Sequence, residues 1–485
     1  MITKEVNPRF HSGAKSSISV LALFICLATW SIGSSIGSGG DIEYHTTSIW
    51  CAWGEKPGLC ENPGKRDDGA YFADVPYLYQ MCNGRPIDSF PRCDIEESNE
   101  PMQRLRTVGP GQMNVYYKIM HLFSSENPTR SIIWMRLLNS AITSLVFLGI
   151  LTLTTNRTRI AGLSAWTFTV VPVAFLKFSS INPRGWSLLG AMTSWIFLHE
   201  LLKSTNSNGR KRALLWFAFF GSAFLAFATR IDSSMFVVFT TGLVVLQHIA
   251  QRIVFNKQRV VIVALVMLGL GLVLRSVDRL SAYLNFQTPK SFPVSGYLYY
   301  VSTRIPEAIT ETWGYEVGQN GNGPTLTGII GLSLFVLAIY TSLRSATSRQ
   351  MIFVGIALMF LITVNYWGLL SLGLQAQGHY STALVAFLLG VTILYSSNKE
   401  FFMKSKTTRN LAIGLLGYSH AVAFYSYMDL YVTGGENEGV IKSLPLRGWW
   451  WNSWSDPNWV LLIGIVAFPV SMYFAWNCVV NSELE

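Results

Sequence analysis

Apolar runs long enough to cross a bilayer recur from end to end of this chain, separated alternately by short basic loops and longer polar ones. The hydrocarbon core of a membrane is ~30 Å thick, so a spanning helix needs ~20 mostly apolar residues. Backbone in lipid must satisfy its own hydrogen bonds, which for runs of this length means α-helix. The pattern therefore predicts an all-α integral membrane protein of about twelve transmembrane helices. The expected spans are Ser17–Ile36, Ser131–Thr154, Ala161–Ser179, Trp186–Leu202, Ala213–Thr229, Ser233–Ala250, Val260–Leu274, Leu326–Leu343, Met351–Leu372, Ser381–Tyr395, Leu411–Tyr427 and Val460–Trp476.

Lys and Arg in short loops decide orientation. With the N-terminus inside, the inner loops hold Arg157 and Arg159, then Lys203, Arg210, Lys211 and Arg212, then Arg252, Lys257 and Arg259. Arg344 and Arg349 follow, then Lys399, Lys404, Lys406 and Arg409, so the assignment is consistent along the chain. The expectation is a multi-pass protein of the plasma membrane with both termini cytoplasmic. The formal net charge of +10 is then a topology signal, and no basic patch interleaved with aromatics points to nucleic acid. A composition of 50% hydrophobic and 13% charged residues excludes an ordinary soluble domain. Lys4, Arg9 and Lys15 before the first apolar run, and small residues after it, also fit a signal peptide. The run is long enough to span, so an uncleaved first helix is expected.

Residues 1–485 read as a single polytopic membrane domain with three long outer loops: 37–130, 275–325 and the Trp-rich 428–459. The first holds Cys51, Cys60, Cys82 and Cys93, while Cys26 and Cys478 lie in or beside spans. Four cysteines in one extracytoplasmic loop suggest two disulfides. Of the three connectivities, Cys51 to Cys60 with Cys82 to Cys93 is expected. The rival reading, a zinc site, lacks any Cys-x-x-Cys pair.

That loop is acid-rich, and most of its acids read as solvated charge, as in "CDIEESNE". Asp41 and Glu43 differ, because they stand where the first helix leaves the membrane, with His45 close behind. A carboxylate partly shielded from water can have its pKa raised toward general-base duty. The bland alternative is that Asp41 caps the following segment.

An acidic pair soon after the first helix resembles the C-type glycosyltransferase superfamily, multi-helix enzymes that take sugars from polyprenyl-phosphate carriers on the outer membrane face. The stretch "LQAQGHYSTALVAFLLG", residues 374–390, resembles the Gln-Gly-Arg-Tyr segment opening a late helix in the domain-of-unknown-function 2142 family of bacterial membrane proteins. Gln377, Gly378 and Tyr380 match, and His379 stands where that family usually has Arg. "DIEYH", "SSINPRGW" (179–186) and "WGYEVGQNGNGP" before the eighth helix agree with the same family, although Arg184 stands where an acid is common. The resemblance implies a C-type glycosyltransferase-like fold.

Sugar transfer from a lipid phosphate needs a base for the acceptor hydroxyl and cations for the departing phosphate. Asp41, or failing it Glu43, is the base candidate. Arginine matches phosphate with its planar fork, and Arg136, Arg184, Arg230, Arg275, Arg279 and Arg304 lie at outward helix ends. Arg184 and Arg230 are the first choices, with Arg304 and His379 behind them; Arg136 reads equally as snorkelling to headgroups, and Arg230 as an ion pair with Asp232. His45, Gln377 and Tyr380 are substrate-binding candidates. In "LRGWWWNSWSDPNW" (446–459), Trp450 and Trp451 fit either an interfacial aromatic belt or an acceptor platform. Residues 293–316 suggest an interfacial helix interrupted at Pro306. The loop acids admit Mg²⁺ or Mn²⁺ without requiring either. Intramembrane polar groups such as Asn365, Tyr366 and His420 are few and uncharged, which argues against a proton-coupled transporter. The expected function is a membrane glycosyltransferase passing sugar from a polyprenyl-phosphate donor to a cell-envelope glycan or lipid acceptor. The alternatives are a lipid or polysaccharide transporter and a non-catalytic scaffold.

Overall fold

The computed structural model describes residues 8–34, 42–55, 60–61, 72–73, 105–106, 115–204, 208–229, 231–251, 312–313, 325–344, 346–372, 381–395, 401–433 and 456–480. These residues are almost wholly helical. In chain order the helices are α1 (Pro8–Ile32), α2 (Ile42–Trp50), α3 (Val115–His121), α4 (Pro128–Leu153), α5 (Asn156–Thr169), α6 (Val173–Phe178) and α7 (Arg184–Lys203). They continue as α8 (Gly209–Phe227), α9 (Ile231–Gln251), α10 (Thr325–Leu343), α11 (Ser348–Leu372), α12 (Thr382–Tyr395), α13 (Lys406–Thr433) and α14 (Pro457–Val480).

Among the described residues, three helices are long and apolar enough to cross a membrane, over Gly13–Ile32, Thr129–Leu153 and Pro457–Val479. Shorter apolar helices cover Ser233–Ile249, Thr327–Leu343, Gln350–Thr363 and Thr382–Tyr395. Two departures from the expected spans have clear causes. The span expected at Ala161–Ser179 is two helices, because Pro172 has no N–H to donate and its ring obstructs a continuous turn between α5 and α6. The last long helix before the Trp-rich segment, α13, runs on to Thr433, so the start of the third expected loop is helical. The expected span Val260–Leu274 lies outside the described residues.

Local signals set the helix starts. Asn127 caps α4, its side chain accepting from Arg130 N at 2.9 Å, and Pro128 follows in the first turn, where its missing N–H costs nothing. Asn208 caps α8 in the same way through Arg210 N.

Packing uses small residues where backbones must approach. Helix α1 lies along α14, and Ser19 and Ser471 each donate a hydroxyl to the other's carbonyl at 2.8 Å. Gly190 of α7 packs on α8 so closely that a Cβ there would collide with Ser222 O and sit 2.7 Å from Ala226 N. Aromatic rings fill the space among α1, α6, α13 and α14: Trp30, Phe175, Phe424 and Phe468 surround the wholly buried His420. Trp30 Nε1 donates to His420 Nε2 at 2.9 Å, which leaves that nitrogen as the acceptor of a neutral imidazole.

The segment between α2 and α3 holds a small antiparallel ladder, β1 (Cys60–Glu61), β2 (Phe72–Ala73) and β3 (Leu105–Arg106), paired in that order. The expected disulfide Cys51 to Cys60 joins the end of α2 to β1. Cys82 and Cys93 lie outside the described residues. Trp313, expected on an interfacial helix, is instead buried in a turn and donates its indole N–H to Phe168 O at 2.6 Å, capping a carbonyl at the end of α5.

Arg136, Lys177, Arg184, Glu200 and Arg409 are all buried. Lys177, Arg184, Glu200 and Arg409 lie near the ends of their own helices and Arg136 meets carbonyls at the end of α1, and such partners offset the cost of leaving water.

Candidate functional site

The last carbonyls of a helix have no partner within it. At the end of α1 that need is met by Arg136 of α4, whose Nη1 donates to Ser31 O at 3.1 Å and Ser34 O at 2.8 Å. Arg136 is completely buried, so it does not reach out to headgroups as a snorkelling side chain would. A cation at a helix C-terminus is also favoured by the helix dipole. Ser31 adds a hydroxyl contact to Ser140 Oγ at 3.1 Å. The exit of α1, from which the chain runs on toward Asp41, is thereby anchored to α4.

One turn along α4, Asn139 ties three further elements together. Its Nδ2 donates to Ser180 O at 2.6 Å and lies 3.4 Å from Tyr116 Oη, while its Oδ1 accepts from Trp186 Nε1 at 2.8 Å. Tyr116 of α3 meets Trp186 of α7 edge-on at 5.0 Å between ring centroids. Its backbone N–H donates to Ala228 O at the end of α8. Burial pushes the Tyr116 phenol above its ordinary range, so the hydroxyl keeps its proton. The hydroxyls of Ser187 on α7 and Ser233 on α9 touch, which brings the start of α9 to the same place.

Two sequence-derived candidates border this network. His45 on α2 is 8% exposed, with Nδ1 3.0 Å from Tyr117 Oη. Arg184 opens α7 at 6% exposure, and its backbone N–H donates to Asn182 Oδ1 at 2.9 Å in a tight turn ahead of the helix. Two guanidinium-bearing residues, a histidine, two tyrosines and an asparagine thus gather at one end of the bundle, where α1 ends and α2, α3, α7 and α9 begin. Such a set can bind an anion and hold a polar ligand with several hydrogen bonds.

Glu43 falls in the first turn of α2, where a carboxylate also suits the helix dipole; its side chain is outside the described residues. Asp41, Arg230, Arg304, Gln377, His379, Tyr380, Trp450 and Trp451 likewise lie outside them. Sequence places Arg136 among six arginines at outward helix ends, behind Arg184 and Arg230, and does not single out Asn139, Tyr116 or Tyr117. A signal did exist: Arg136 and Asn139 are three residues apart, hence on one face of a largely apolar helix. Among the described residues no group of three or more His, Cys, Asp or Glu side chains is placed to hold a metal ion.

The family model described as "Predicted membrane protein (DUF2142)" matches residues 24–314. The chain belongs to the DUF2142 family of predicted membrane proteins. The DUF2142 match begins within α1 and includes Asp41, Glu43, His45, Arg136, Asn139 and Arg184, so the whole network is family sequence. Gln377, His379, Tyr380 and the Trp-rich segment lie beyond the matched residues. No curated protein and no solved structure matches the chain.

Proposed function

We propose that this DUF2142 protein is a membrane glycosyltransferase. It takes a sugar from a polyprenyl-phosphate donor and passes it to a cell-envelope glycan or lipid acceptor on the extracytoplasmic face of the plasma membrane, with both termini in the cytoplasm. The observation that carries the reading is the gathering of Arg136, Arg184, His45 and Asn139 around the point where α1 delivers the chain to Asp41 and Glu43.

The reaction is a displacement at the anomeric carbon. The acceptor oxygen forms a bond to that carbon as Asp41 takes its proton, and the bond from carbon to the phosphate oxygen breaks with inversion. The polyprenyl phosphate leaves with the bonding electrons. A positioned base contributes roughly 10²–10⁴-fold to such a step. Arg184 faces the negative charge that grows on the leaving phosphate, and one well-placed donor of this kind is worth about 10²–10³-fold. Arg136 positions rather than reacts, because its Nη1 is engaged by α1 carbonyls. His45, held against Tyr117, is suited to hydrogen-bond a sugar hydroxyl. Arg230, Arg304 and His379 remain donor-phosphate candidates, Gln377 and Tyr380 sugar contacts, and Trp450 and Trp451 an acceptor platform.

Binding is tested with the purified protein and two lipids that differ only in phosphate, polyprenyl monophosphate and the corresponding polyprenol. The phosphate lipid raises the melting temperature of the wild type, the alcohol does not, and Arg184→Gln removes the difference while Arg184→Lys keeps part of it. Equal response to the two lipids, or an undiminished response in Arg184→Gln, rules the donor assignment out.

A further inference from the structure

At the opposite end of the bundle the last turn of α14 is ringed by basic side chains. Arg409, at the start of α13, is only 4% exposed, yet a single hydrogen bond accounts for its guanidinium, from Nη2 to Asn477 Oδ1 at 3.2 Å. Its Nε and Nη1 are buried without a partner. Arg159 of α5 donates Nη2 to Thr154 O at 2.6 Å, and its Nε is likewise buried and unpartnered. Cys478, next to Asn477, lies within electrostatic reach of both Arg159 and Lys15 of α1, and Ser16 Oγ is 3.5 Å from its sulfur. Helices α1, α5 and α13 therefore bring three cations to two consecutive residues of α14.

This charge is under-compensated. Glu200 offsets part of it at Arg159, but that carboxylate already accepts from Thr155 Oγ1 at 2.9 Å and faces Lys211 Nζ at 3.8 Å. Arg409 faces the Tyr473 side chain rather than a carboxylate. Burial lowers the pKa of both arginines, but a guanidinium does not give up its proton in a protein, so the cost of burying the charge stands. Buried charges are ordinarily paired, and a buried guanidinium with open N–H groups is short of an anion.

The position of these groups indicates which anion. Arg409 immediately precedes the apolar part of α13, and Arg159 the apolar part of α5, so both stand at headgroup depth. This is the end whose loops are basic, the side on which bilayers carry anionic lipid. We propose that Arg409 and Arg159, around the end of α14, form a binding site for a phosphate group supplied by an anionic phospholipid of that leaflet. The site is separate from the one that would take the polyprenyl phosphate, and it does not depend on that function.

The test is native mass spectrometry of the full-length protein in detergent, titrated with phosphatidylglycerol, phosphatidylcholine or inorganic phosphate. Wild type retains phosphatidylglycerol in preference to phosphatidylcholine, and Arg409→Gln weakens that retention roughly tenfold, the loss of one charge-assisted contact. Arg159→Gln weakens it too, and Arg409→Lys, which keeps the charge, retains most of it. Circular dichroism and a cooperative thermal melt near that of wild type show that each variant is folded. If wild type binds the two lipids alike, or if folded Arg409→Gln and Arg159→Gln both hold phosphatidylglycerol as wild type does, the proposal is wrong. If inorganic phosphate alone displaces bound phosphatidylglycerol at equal concentration, the site is a free-phosphate site and the lipid assignment is overturned.

Discussion

Replacing Arg136 by methionine tests whether the buried guanidinium holds the exit of α1. The side chain is wholly buried and donates to the carbonyls of Ser31 and Ser34. Each carbonyl left unsatisfied costs about 1–3 kcal/mol, so the pair costs about 2–6 kcal/mol. Against this, methionine relieves the desolvation of a buried charge, and apolar replacements of buried ions are sometimes neutral when all partners go together. Here the carbonyls remain, so the loss wins and we expect a net destabilisation of about 3 kcal/mol. At about 2.1 cal/mol/K of unfolding entropy per residue, that lowers the melting temperature of this 485-residue chain by about 3 °C. Arg136→Lys keeps the charge at the helix end but not the planar fork, and falls between the two. The assay is thermal unfolding of the detergent-purified protein followed by tryptophan fluorescence. An Arg136→Met protein melting within about 1 °C of wild type refutes the reasoning, because a 3 kcal/mol loss is then absent.

Gly190→Ala forces a methyl against Ser222 O, so α7 and α8 must separate and the protein melts lower; Gly221→Ala, with open space around it, is neutral or stabilising by up to about 1 kcal/mol. Equal melting of the two variants contradicts the close-approach account. Asn139→Leu strands Trp186 Nε1 and Ser180 O in the interior and costs about 2–4 kcal/mol, measurable in the same melts. Replacing both Cys51 and Cys60 by serine, which opens a loop with a sequence separation of 9, costs about 2–3 kcal/mol on the chain-entropy model and increases proteolysis of the segment after α2. Cleavage unchanged from wild type counts against that role for the bridge.

Much of the helical architecture was legible, because a membrane helix writes its length and polarity directly into sequence. The span expected at Ser131–Thr154 is the body of α4, and that at Val460–Trp476 is the body of α14. The Cys51 to Cys60 bridge was legible because two nearby cysteines in a polar loop leave few arrangements. What hydropathy hides is the tertiary partner of a charge. Arg136 and Glu200 sit within apolar runs and look like exceptions; only α1's carbonyls in one case, and Thr155 with Lys211 in the other, make them satisfactory. The break between α5 and α6 was written in Pro172, but the surrounding apolar residues masked it. Asn139 is the clearest loss, since a lone polar residue in a span says nothing of the three elements it joins.

The central claim is tested most directly in cells. Cell-envelope glycans and lipid-linked sugars are compared among a strain with wild-type protein, a strain without it, and one with Asp41→Asn at equal membrane abundance. The account predicts that the null and Asp41→Asn strains lack the same glycosidic linkage and accumulate the same polyprenyl-linked sugar. An Asp41→Asn strain with wild-type glycans beside a defective null contradicts it, and moves transport or scaffolding to the front.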